Sequence, residues 1–161
     1  MTGQHAILRF MAGYEFVTQW EFDAPVERVW DEIYQSERWP EWWKAVKAVV
    51  PLAKGDESGV GAVRRYTWRG VLPYGLTFEM KTTRVDRYKT LEGTATGELQ
   101  GYGCWQFSTR GSRTHVRYDW KVETSKRWMQ FIKPIARPLF DWNHDVVMRW
   151  GYEGLEKRLK S

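Results

Sequence analysis

Between Lys44 and Glu123 the chain carries no helical period, and strand-like runs follow one another with only short turns between them. The runs are Ala62–Trp68, Leu76–Val85, Leu91–Leu99, Tyr102–Thr109 and Thr114–Val122. Turn residues separate them or lie ahead of them, at Gly55, Gly59 and Gly61, at Pro73-Tyr74-Gly75 and at Gly111-Ser112. In the clearest run Val116, Tyr118, Trp120 and Val122 share one face, while His115, Arg117, Asp119 and Lys121 share the other. Leu76, Phe78 and Met80 likewise oppose Thr77, Glu79 and Lys81. Strands joined by such short turns pair with their neighbours as antiparallel partners, which commits half of the chain to one antiparallel sheet.

The flanks are different. Tyr14 to Phe22 alternates, with Phe16, Thr18, Trp20 and Phe22 on one face, and reads as a further half-buried strand. Asp23-Ala24-Pro25 ends it and opens a helix, because proline is tolerated at a first helical position. Val26, Val29, Trp30 and Ile33 then recur at helical spacing. Ser36 is placed to cap a second short helix through Trp39, Pro40, Trp42 and Trp43. From Ser125 to Ser161 the helical period returns. Pro134 and Pro138 predict a break, giving a first helix to Asp141 and a second from Trp142 to Lys160. The second carries Phe140, His144, Val147, Met148, Gly151, Leu155 and Leu159 on one face, with an expected surface pair between Asp145 and Arg149. The order strand, two helices, many strands, long helix is an α+β architecture with helices on one face of a sheet.

Composition narrows what that sheet encloses. The 161 residues include 11 Trp, 8 Tyr and 7 Phe, enough rigid ring area either to fill a core or to line a cavity. Cys104 is the only cysteine, so no intramolecular disulfide and no multi-cysteine metal site can form. The three histidines, His5, His115 and His144, are scattered, and no metal site and no cofactor are expected. The net charge of +5 is concentrated toward the end: residues 125–161 carry 8 basic and 4 acidic side chains. No dense basic stripe marks nucleic-acid binding. Met1 to Gly13 lacks the pattern of a secretory leader and no run of apolar residues would span a bilayer, so a cytoplasmic protein is expected. Residues 1–13 are expected to be a flexible segment ahead of a single domain over 14–161.

At this point the sequence resembles the START-like, or SRPBCC, superfamily, and within it the polyketide cyclase/dehydrase-like proteins. The resemblance is carried by FDAPVERVWDEI (22–33), RWPEWW (38–43), LPYGLTFEM (72–80), GYGCWQF (101–107), THVRYDWKV (114–122) and WNHDVVMRWGYEGLEKRL (142–159). It implies a helix-grip fold: a curved seven-stranded antiparallel sheet around a long C-terminal helix, two short helices after the first strand, and a cavity between sheet and helix. It does not imply one activity, since that superfamily includes carriers, receptors, cyclases and co-chaperones.

Candidate site residues follow from the inward faces. Tyr66, Trp68, Phe78, Met80, Trp105, Phe107, Tyr118, Trp120, Phe140, His144 and Met148 are candidate walls of an apolar pocket with a few polar tips. The alternative is that the same rings form close-packed core. His144 on the apolar stripe is a candidate anchor or base, with a structural histidine bonded to a carbonyl or a tyrosine as its counterpart. Asn143, one step along the helix, is turned about 100° away and is a weaker candidate. Arg117 and Asp119 alternate with the apolar face and are expected in solvent, and nothing near Cys104 suggests an activated thiol.

Three functions are compatible with these residues. The first is a binding protein for a hydrophobic small molecule, lipid-like or polycyclic. The second is a polyketide cyclase or dehydratase in which His144 would act as base and Tyr118 as donor. The third is a co-chaperone-like interaction module, which needs no enclosed pocket. No heptad pattern marks assembly, so a monomer or weak dimer is expected. The segment 126–133 mixes basic and large apolar residues and could rest transiently on a membrane surface.

Overall fold

The computed structural model describes residues 13–161; the expected flexible segment 1–13 lies outside this range save for Gly13. Seven strands form one sheet in the order β1-β7-β6-β5-β4-β3-β2, with every neighbouring pair antiparallel. They are β1 (Tyr14–Phe22), β2 (Val46–Ala53), β3 (Val63–Arg69), β4 (Gly75–Asp86), β5 (Thr90–Gly97), β6 (Leu99–Arg110) and β7 (Arg113–Thr124). Helix α1 (Val26–Tyr34), a 3-10 turn (Ser36–Arg38) and the single-turn α2 (Trp39–Trp42) follow β1, and α3 (Arg127–Lys160) closes the chain. The sheet curves around α3 in the helix-grip arrangement.

Sequential strands are neighbours except that β1 crosses to β7, so the first and last strands of the chain pair, Tyr14 opposite Val122 and Phe22 opposite Thr114. The β6–β7 hairpin turns on Gly111-Ser112 between the paired Arg110 and Arg113. Gly111 has φ of 62°, the left-handed conformation that tight hairpin turns favour. Strand β2 is not among the runs singled out above because its burial does not alternate and it contains Pro51. Proline has no donor, and it is tolerated here because β2 is an edge strand. Leu99 opens β6 rather than ending β5.

Four local expectations are corrected. Pro25 stands just outside α1 with extended backbone instead of occupying its first turn. Ser36 makes no capping bond; its hydroxyl accepts from Tyr66 instead. The C-terminal helix is one 34-residue element with both prolines inside it. Those prolines are four residues apart, so they fall on one face, and that face is exposed. Water can take up the carbonyls they leave unpaired, and the buried side of the helix stays regular. Asp145 and Arg149 form no ion pair among the described residues; the pairs at that spacing are Arg137–Asp141 and Glu156–Lys160.

The core is a slab of rings between the inner sheet face, α1, α2 and α3. The RWPEWW segment is its keystone. Trp43 is almost fully buried, donates its indole N–H to the Val147 carbonyl at 2.8 Å, and lies edge-on to Trp68 with ring centroids 4.8 Å apart. The close approach of α2 to α3 depends on two glycines. A Cβ on Gly151 would stand 2.5 Å from the Trp43 ring, and one on Gly154 would collide with the Trp42 carbonyl. No helix among the described residues is long and apolar enough to cross a membrane.

Candidate functional site

A cavity of about 190 Å³ lies between the inner face of the sheet and α3. Its walls come from every layer: Tyr66 and Trp68 on β3, Phe78 and Met80 on β4, Trp105 on β6, Tyr118 and Trp120 on β7, and Phe140, His144 and Met148 on α3. Ten of the eleven residues expected on a pocket wall are therefore brought together. Phe107 is the exception. It faces inward one turn of the pleat beyond Trp105, where α1 covers the sheet, and it packs edge-on against Trp30 with centroids 5.0 Å apart. It belongs to the core and does not line the cavity.

The rings are ordered against one another. Trp105 and Tyr118, paired across β6 and β7, stack with centroids 3.9 Å apart and 16° between planes. Tyr66 stacks on Phe78 across β3 and β4. These cross-strand pairs fix a flat aromatic wall, which favours offset or edge contact with another ring.

Among the lining residues only Arg64 and Glu92 carry charge, and the remaining polar groups are few and neutral. The Tyr66 hydroxyl donates to Ser36 Oγ at 2.7 Å in a buried bond. Burial holds the Tyr118 hydroxyl well above the usual tyrosine range, with Tyr66 and Cys104 adding smaller effects, and it makes no hydrogen bond among the described residues. His144 lies flat on Phe16, centroids 3.7 Å apart and planes within 10°. Its desolvation pushes the imidazole pKa down to about 4, so the ring is neutral at physiological pH. Neither a backbone carbonyl nor a tyrosine bonds to it among the described residues, in contrast to the structural alternative considered above. The Trp68 indole N–H is also buried without a partner among the described residues. Arg64 lines the cavity with its Nε tied to Glu37 at 2.9 Å.

Asn143 is buried and lies on the cavity wall, contrary to the expectation that one step along the helix removes it. Two adjacent faces of α3 are covered, one by the sheet and the other by the β3–β4 loop. Asn143 Oδ1 accepts from the amides of Val71 (2.8 Å) and Leu72 (3.2 Å), holding that loop against the helix. Gly70 permits this, since a Cβ there would collide with the amide group of Asn143. Tyr74, in the same loop, lines the cavity and meets Phe140 edge-on at 6.0 Å. Ser36 and Asn143 are polar residues of the site whose roles the sequence pattern does not reveal. Both are defined by contacts with distant segments, which periodicity does not register.

Arg117 and Asp119 lie on the opposite sheet face, joined by two bonds of 2.9 and 3.0 Å. Cys104 is buried on that outer face, and burial raises its thiol pKa, so it stays protonated.

A profile described as Polyketide cyclase / dehydrase and lipid transport matches residues 22–145. No curated protein matches by sequence. Among solved structures, the Zhui aromatase/cyclase from Streptomyces sp. R1128 superposes with a TM-score of 0.74 at 13% identity, covering 92% of this chain and 94% of that one. A START superfamily protein from Mycobacterium smegmatis gives 0.73 at 15% identity, over 91% and 97%. The di-domain ARO/CYC BexL from the BE-7585A biosynthetic pathway gives 0.68 at 15% identity over 95% of this chain, which spans about half (53%) of BexL. At these identities the likeness is one of fold.

Proposed function

Because the chain belongs to the polyketide cyclase/dehydrase and lipid transport family, we propose that it binds a neutral, oxygen-bearing aromatic molecule in the cavity between the sheet and α3. The observation that carries this reading is the pairing of flat ring walls with neutral polar groups that have no hydrogen-bond partner among the described residues: Tyr118, His144 and the Trp68 N–H. A buried donor left unmade costs about 1–3 kcal/mol, and a ligand carbonyl or hydroxyl would remove that cost. The absence of an unpaired charge on the wall among the described residues favours an uncharged ligand. The volume bounds its size. A dry cavity of about 150 Å³ holds a benzene, so 190 Å³ suits roughly one or two rings rather than a full-length lipid chain.

Binding is favoured over acid–base cyclisation by the state of His144. An imidazole whose pKa is pushed down to about 4 is a weak base at neutral pH, and no carboxylate orients it among the described residues. The cavity also weighs against a bare interaction module, which has no use for one.

The test is native mass spectrometry of the protein purified from its own host, followed by extraction of any adduct and a thermal-shift panel of one- and two-ring phenols, quinones and fatty acids. A stoichiometric aromatic adduct lost on denaturation, or stabilisation by the ring compounds alone, is the expected result. A clean unliganded mass with no shift from any ring compound would overturn the proposal.

A further inference from the structure

The outward face of the first half of α3 is apolar. Trp128, Phe131, Ile135, Leu139 and Trp142 fall within one stripe, given about 100° per residue, and at 1.5 Å per residue it is about 21 Å long. Phe131 and Ile135 are 87% and 89% exposed, and Trp128, Leu139 and Trp142 are about half exposed. An apolar surface of this extent on a folded domain marks a binding face.

We infer that this stripe is a docking surface for an anionic lipid bilayer. The exposure profile has the shape of shallow insertion. The purely apolar Phe131 and Ile135 protrude furthest, and the two tryptophans bracket them at the depth where indoles favour the membrane–water boundary. Charge selects the bilayer over a second copy of the chain. Residues 126–142 contain Lys126, Arg127, Lys133 and Arg137 against one acid, Asp141, which lies 3.9 Å from Arg137, and Lys126 is tied to Glu98, so the stretch keeps a positive excess. Two copies joined through this face would bring like charges together, whereas an anionic surface complements them. The same stretch of helix forms part of the cavity wall through Met129 and Phe140, and Trp128 meets the wall residue Tyr74 edge-on at 5.5 Å. A ligand leaving through this end would therefore emerge at the bilayer.

The inference rests on the outer face and not on what the cavity holds. It is tested by cosedimentation of the full chain with empty vesicles of phosphatidylcholine alone and of phosphatidylcholine mixed with phosphatidylglycerol. The wild type is expected to bind the mixed vesicles, less so at high salt. A Phe131→Ser/Ile135→Ser double variant should lose about tenfold in affinity with its melting temperature unchanged, because both side chains are exposed. Arg127→Gln gives a second reading, with a smaller loss confined to the anionic vesicles. Failure of the wild type to bind either vesicle, or equal binding by the double variant, would overturn the inference. So would a wild-type dimer in light scattering that the double variant dissolves, which would assign the stripe to a second copy.

Discussion

His144 lies face to face with Phe16, 3.7 Å between ring centroids, so the imidazole of the long helix rests on the first strand of the sheet. That contact excludes water from the ring and drives it toward its neutral form.

Stability should therefore depend on pH through this histidine. Its pKa falls from an ordinary value near 6.5 in the unfolded chain to about 4 in the fold. Between those values the unfolded state binds the proton that the folded state refuses, so stability is complete above about 6.5 and declines as the pH drops toward 4. The loss is on the order of 3 kcal/mol. Urea unfolding of wild type and His144→Phe across this window should show a shallower decline in the variant, which keeps a ring on Phe16 but cannot titrate.

Breaking the Tyr66–Ser36 bond should destabilise the fold from either side. Tyr66→Phe removes a buried donor and leaves the Ser36 hydroxyl without it, at a cost of about 1–2 kcal/mol. A double-mutant cycle with Ser36→Ala should return a coupling of about 1 kcal/mol in urea unfolding, and additive effects would contradict the geometry.

Gly154→Ala should destabilise the protein although alanine is the better helix former by about 1 kcal/mol. The added Cβ meets the backbone carbonyl of Trp42, which has no rotamer with which to move aside. A net loss of about 1–3 kcal/mol in thermal or urea unfolding is expected.

Asn143→Ala should release the β3–β4 loop without unfolding the sheet. The amides of Val71 and Leu72 lose their acceptor and should exchange with deuterium faster than in wild type, while the β6 and β7 amides keep their protection. A bound ligand should also dissociate faster from this variant if Tyr74 and its loop cover the cavity.

Much of the architecture could be read from local pattern, because it is local. The alternation of Val116, Tyr118, Trp120 and Val122 reflects the two-residue period of a strand, and Val29, Trp30 and Ile33 share one side of a helix turn for the same kind of geometric reason. Ten of the eleven expected wall residues line the cavity because inward facing is a property of the strand or helix that carries them. Tertiary structure decided the rest. Phe107 faces inward yet meets Trp30, because α1 covers that end of the sheet. The prolines at 134 and 138 leave α3 continuous because packing placed them both on the solvent side. Ser36 and Asn143 acquire their roles from Tyr66, thirty residues away, and from the Val71 amide, seventy-two residues away. Period and propensity act over a few residues. What a side chain touches across the fold is set by which elements the chain brings together, and only the folded molecule contains that information.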